Sequence, residues 1–162
     1  MLEYFPDRVK KFIEIAHKNN LKMILVGGGA VNFHGYQRHS ADIDFWINVT
    51  SENMQNLIKT LQNLGYDIHE IPDQVLKKQQ NISIKISPVF ELELITNFNP
   101  GKTFDEALSD SEKVEKEELY YHVLSFNDLI NSKISSPRPK DKLDIEELQR
   151  IRMRKKQGNN NT

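Results

Sequence analysis

Residues 26–47 read Val-Gly-Gly-Gly-Ala-Val-Asn-Phe-His-Gly-Tyr-Gln-Arg-His-Ser-Ala-Asp-Ile-Asp-Phe-Trp-Ile. The stretch follows an apolar run, Leu21 to Val26, that reads as a short buried strand. Gly27, Gly28 and Gly29 then form a turn in which backbone N–H groups approach phosphate oxygens closely, and helical spacing resumes from Ala30 to His34. Strand, glycine turn and helix aim helix N-terminal amides at an anion. The pattern is neither a dinucleotide fingerprint nor a P-loop, because the spaced third glycine and the Gly-Lys-Ser/Thr are missing.

The stretch ends on Asp42-Ile43-Asp44. Side chains alternate along a strand, so Ile43, Phe45 and Ile47 form a core face while Asp42, Asp44 and Trp46 share the other. Two carboxylates on one face repel each other and resist burial, and a divalent cation removes both problems. Magnesium takes oxygen ligands of this kind together with substrate phosphates. Alone, the aspartate pair reads equally well as an acidic outer strand face, and the glycines as a packing turn. Together they suggest a phosphate cradle facing a magnesium site.

Gly27-Gly28, thirteen residues, then Asp42-Ile43-Asp44 resembles the signature of the nucleotidyltransferase superfamily typified by DNA polymerase beta. The fuller string, Gly-Gly-x-Ala-Val-x-x-His-Gly-x-x-Arg-x-Ser-x-Asp-Ile-Asp, is similar to small bacterial nucleotidyltransferase-like proteins related to abortive-infection toxins. The likeness is specific over residues 24–47 and looser to about residue 148. It implies an α/β (mixed α+β) fold: a twisted mixed sheet flanked by helices. It also implies transfer of a nucleoside monophosphate from a nucleoside triphosphate to an acceptor hydroxyl, with release of pyrophosphate. Two Mg2+ ions held by three carboxylates are the implied cofactors.

On this resemblance Asp42 and Asp44 are metal ligands and catalytic residues. The third acid lies in Val89-Phe90-Glu91-Leu92-Glu93-Leu94-Ile95-Thr96, where Glu91 and Glu93 share one face. Glu93 is favoured because the family places its acid just before an apolar pair and a threonine, although aspartate is commoner there. Gly27 and Gly28 would cradle the β and γ phosphates. Arg38 suits bidentate phosphate binding and suits pairing with Asp42 or an exposed acid equally well. Downstream, Arg138-Pro139-Lys140-Asp141-Lys142-Leu143-Asp144 matches an Arg-x-Lys-Asp-x-x-Asp string of the same relatives. Lys133 and Lys140 are therefore nucleotide-binding candidates, with Arg138 behind them. Asp141 and Asp144 are expected to fix those cations or cap the last helix. His34, before Gly35, reads as a structural residue at a helix C-terminus, where the dipole favours an imidazolium. His39 completes this basic group.

The 162 residues suit one domain over 1–150 with a polar, fraying tail over 151–162. A net charge of −1 argues against a general nucleic-acid binder, and the absence of cysteine excludes disulfides and thiolate metal sites. No apolar run is long enough to span a membrane and the N-terminus lacks a signal-peptide layout, so a cytoplasmic protein is expected. The expected small-molecule partner is a nucleoside triphosphate such as ATP. The acceptor, whether small molecule, RNA or protein, is open. A second copy of the chain and an antitoxin-type chain are candidate protein partners. The alternative reading is a non-catalytic module that keeps this fold and acts as a binding partner. A glycosyltransferase with an Asp-x-Asp pair needs a larger sugar-nucleotide domain than this length supplies.

Elsewhere, apolar spacing predicts helices over Pro6–Asn19 and Ser51–Leu64, the latter capped by Ser51 and stopped by Gly65. Tyr66–Ile71 reads as a strand and Pro72–Gln79 as a short helix or loop. Asn81–Ser87 reads as a strand joined by a hairpin to the Glu93 strand. Thr103–Leu108 is a short helix, Val114–Val123 a hairpin, and the helix after Leu124 takes Ser125 as its N-cap.

Overall fold

The computed structural model describes residues 5–38 and 42–160. His39, Ser40 and Ala41 lie outside the described residues. The chain opens with α1 (Asp7–Lys18), β1 (Met23–Val26), α2 (Gly27–Phe33), β2 (Asp42–Ile47) and α3 (Ser51–Asn63). A one-turn α4 (Asp73–Leu76) leads to the hairpin β3 (Ile82–Ser87) and β4 (Phe90–Ile95). Next come α5 (Phe104–Asp110) and a second hairpin, β5 (Glu112–Lys116) and β6 (Leu119–Val123). The chain closes with α6 (Phe126–Ile134) and α7 (Pro139–Asn160). The fold is the mixed α/β sheet flanked by helices that the sequence implies.

The six strands form one sheet in the order β3-β4-β2-β1-β6-β5. The central strands β1 and β2 are antiparallel, and each takes a parallel neighbour on its outer side, β6 and β4. Alternation works as the sequence dictates. Ile43, Phe45 and Ile47 are buried, and Phe12 of α1 meets Phe45 at 6.1 Å between ring centroids. The face carrying Asp42 and Asp44 is closed at its far end. There Trp46 packs against Phe98 and Phe104, with centroids 5.1 and 4.9 Å away. One end of this face is thus acidic and the other aromatic.

Four local expectations change. The glycines are not a loop before a helix: α2 begins at Gly27 itself. The cap of α3 is Thr50, whose hydroxyl accepts from the Asn53 N–H, one residue before the expected Ser51. Residues 66–71 form no strand. There Gln62 donates to the Ile68 carbonyl at 2.7 Å, so a side chain takes a backbone acceptor that a ladder would use, and His69 pairs with the Asp67 side chain at 3.0 Å. Of the tail expected to fray over 151–162, residues 151–160 continue α7, exposed over 152–159. Near the start of this segment Arg152 lies 4.3 Å over the Phe126 ring and donates to Asn127. Among the described residues no helix is long and apolar enough to cross a membrane.

Candidate active site

Parallel register places Asp42 beside Glu91 and Asp44 beside Glu93. On the outer side of β4, Lys85 stands opposite Glu91 and Ser83 opposite Glu93. Val26, the last residue before the glycines, completes the row beside Asp44. Glu91 thus has a cation across one strand gap, whereas Glu93 is flanked by another acid and a hydroxyl. Glu93 is half-buried and its Oε1 accepts from Asn81 Nδ2 at 3.3 Å. The Asn81 Oδ1 accepts from the Thr96 N–H at 3.0 Å, and the Thr96 hydroxyl donates to the Gln80 carbonyl at 3.0 Å. A clasp between the start of β3 and the end of β4 therefore orients Glu93. Sequence reading missed Asn81, because nothing local marks a strand-opening asparagine as the partner of an acid on the returning strand.

Asp44 is the strained charge of the site. Its Oδ1 is buried with no hydrogen-bond partner. Burial, then Glu93 and Asp42, push its pKa from 3.8 up to about 6, while Lys140 and Lys133 pull the other way. Gly27 explains how α2 starts so close to it. Its φ is +59°, and a Cβ there would collide with Asp44 Oδ2. Gly28, the next residue, is buried within the first turn of α2. Gly27→Ala is expected to cost about 1–2 kcal/mol from the left-handed backbone alone. Displacement of Asp44 adds a larger loss of activity, about tenfold or more in kcat/KM. Thermal melts beside initial rates separate the two effects.

The basic candidates are gathered behind the acids in a buried network. Arg38 grips Asp144 bidentately, Nε to Oδ1 at 2.8 Å and Nη2 to Oδ2 at 3.0 Å. Lys133 Nζ reaches Asp144 and Asp141, each at 3.0 Å. Arg138 and the Ser136 hydroxyl also donate to Asp141, at 3.0 and 2.5 Å. Burial raises the Asp141 pKa, but the bonds from Ser136 and Lys133 outweigh it and hold the carboxyl at about 2. Of the alternatives for Arg38, the structure takes an acid, and that acid is Asp144. Asp141 and Asp144 fix the cations, as expected. Lys140 differs: it is exposed at the start of α7, and its charge is felt at Asp44.

His34 caps α2, and its Nε2–H donates to the Leu124 carbonyl at 2.8 Å. Burial lowers its pKa, so the imidazolium expected from the helix dipole gives way to a neutral ring.

The donors around Asp44 are all oxygens, which suits a hard divalent cation better than zinc or copper. The orphaned Oδ1 and the acids that crowd Asp44 electrostatically fit such an ion. Among the described residues no three ligating side chains are already drawn around one point. Coordination would therefore require the carboxylates to turn toward a shared ion.

The family model described as "Nucleotidyltransferase of unknown function (DUF6036)" matches residues 7–153. No curated protein matches by sequence. Among solved structures, the chain is similar to the lincosamide antibiotic adenylyltransferase LnuA in its lincomycin-bound crystal structure. The TM-score is 0.56 at 16% identity, covering 90% of this chain and 96% of that one. At that identity the likeness shows a shared fold.

Proposed function

The chain belongs to this family of nucleotidyltransferases of unknown function, and from that premise we propose that it transfers a nucleoside monophosphate from a nucleoside triphosphate to an acceptor hydroxyl, using Mg2+. The observation that carries the reading is the pairing of Asp44 with Glu93 across β2 and β4, directly beside the glycine turn that opens α2. Asp42, Asp44 and Glu93 would hold two Mg2+ ions, which supply neutralisation of the triphosphate and of the charge that develops on the attacking and leaving oxygens.

The chain's own residues do the rest. Gly27 and Gly28 present backbone rather than side chain to the β and γ phosphates. Lys140, exposed at the mouth, adds a cation for the same oxygens. Arg38 and Lys133, held by Asp144, contribute positive charge from behind and keep α2, α6 and α7 in place. Glu93, oriented by Asn81, accepts the proton of the acceptor hydroxyl. The acceptor oxygen bonds to the α phosphorus, the α–β bridging bond breaks, and pyrophosphate leaves. The fold neighbour's name specifies an antibiotic as acceptor, and a small hydroxylated molecule is the acceptor class we favour here.

The test uses triphosphates labelled at the α phosphate, offered with cell extract in Mg2+ or in EDTA. The expected result is a labelled product that forms only with Mg2+. If no triphosphate labels any component, the alternative of a non-catalytic partner protein replaces this reading.

A further inference from the structure

A second cleft, of about 620 Å3, opens at the other end of the molecule, where α1 ends and β1 begins. Its walls come from Asn20 and Lys22, from Asp105 and Ser109 of α5, and from Lys113 and His122 of the outer hairpin. None of these residues takes part in the acid cluster. The volume is that of a small-ligand site.

Its cations lie close to His122. Lys22 and Lys113 are exposed, and among the described residues neither is in an ion pair. His122 is half-buried. The Ser111 hydroxyl donates to the Leu108 carbonyl at 2.6 Å, so His122 Nδ1–H must donate to Ser111 Oγ, 2.9 Å away. That fixes the ring and leaves Nε2 without an assigned partner. Burial lowers the His122 pKa, and Lys113, Lys22 and His17 lower it further, with no acid acting against them. Two ammonium groups, Lys22 and Lys113, thus act on one imidazole. His17 and Tyr120, with ring centroids 4.5 Å apart, add a flat aromatic wall.

We propose that this cleft binds a phosphorylated compound of sugar size, its dianionic phosphate between Lys22 and Lys113, next to the His122 ring, and its hydroxyls toward Asn20, Asp105 and Ser109. Two unpaired ammonium groups match a dianion better than a monocarboxylate. Hydroxyl-rich chemistry matches the amide of Asn20, the carboxylate of Asp105 and the hydroxyl of Ser109 in the same lining. The site is separate from the nucleotide site and does not depend on the reaction proposed for it.

The test is NMR titration of the histidine imidazole signals in the full chain, with EDTA present to keep the acid cluster free of metal. Ribose 5-phosphate should shift the His122 and His17 signals with a midpoint about tenfold or more below that of inorganic phosphate. Ribose should shift neither. Lys22→Glu with Lys113→Glu should abolish the response. This pair should leave the melt intact, because Lys22 is anchored through its backbone N–H to Asn53 Oδ1 and not through its side chain. Equal midpoints for the two phosphates would mean an adventitious ion only and would overturn the proposal. So would a double variant that titrates like the parent, or no shift by about 10 mM ligand.

Discussion

Asp44→Asn is expected to reduce Mg2+-dependent transfer by about a thousandfold or more, since a carboxylate that anchors a metal–phosphate assembly is worth several kcal/mol in the transition state. The same substitution should stabilise the metal-free protein. The folded pKa of Asp44 is raised from 3.8 to about 6 by burial and by Glu93 and Asp42. A raised carboxyl pKa means that the folded state holds the proton more tightly than the unfolded chain. Its contribution to stability is therefore present below about pH 4 and lost as pH rises through about 6. At pH 7.5 in EDTA, asparagine should raise stability by about 1–2 kcal/mol, or a few degrees in Tm. It should also flatten the decline of Tm between about pH 4 and 6. Melts across that range check the sign, and Mg2+ should raise the Tm of the parent but not of the variant. A fully active variant, or one less stable in EDTA, contradicts the role given to Asp44.

Asp144→Ala should be the most destabilising single change, for a different reason. Asp144 is 1% exposed and holds both Arg38 and Lys133. Removing it leaves Arg38 without its bidentate partner and Lys133 with Asp141 alone. Breaking a buried pair in this way costs about 3–5 kcal/mol, far more than the pair contributes relative to an apolar substitute. Urea unfolding measures the loss directly. Asp144→Asn, which keeps an acceptor oxygen but not the charge, should lose roughly half as much. A loss below about 1 kcal/mol for alanine would mean that water already reaches the network.

These two sites differ in how far they could be read from sequence. Gly27, Asp42 and Asp44 were legible because strand alternation and a glycine cluster are local signals. The choice of Glu93 leaned on family likeness; register sets Asp44 beside Glu93 and both Asp42 and Lys85 beside Glu91, which no local signal announces. The Arg38–Asp144 pair was not legible, because 106 residues separate the partners and Asp42 was an equally good candidate. Asn81 was hidden for the same reason at shorter range. Residues 66–71 alternate well enough for a strand, but whether an alternating segment joins a sheet depends on what its backbone meets. Here Gln62 arrives first.

The Arg38–Asp144 clasp also bears on how the protein comes into being. A ribosome delivers the strands of Asp42, Asp44 and Glu93 well before it delivers Asp144, and early segments begin to fold as they emerge. Until α7 arrives, Arg38 has no acid to grip and Lys133 lacks both of its partners. The nascent chain therefore owns its acidic residues before it owns the fastening that sets α2 above them. Under the proposed function, incomplete chains should therefore carry the motif without the chemistry.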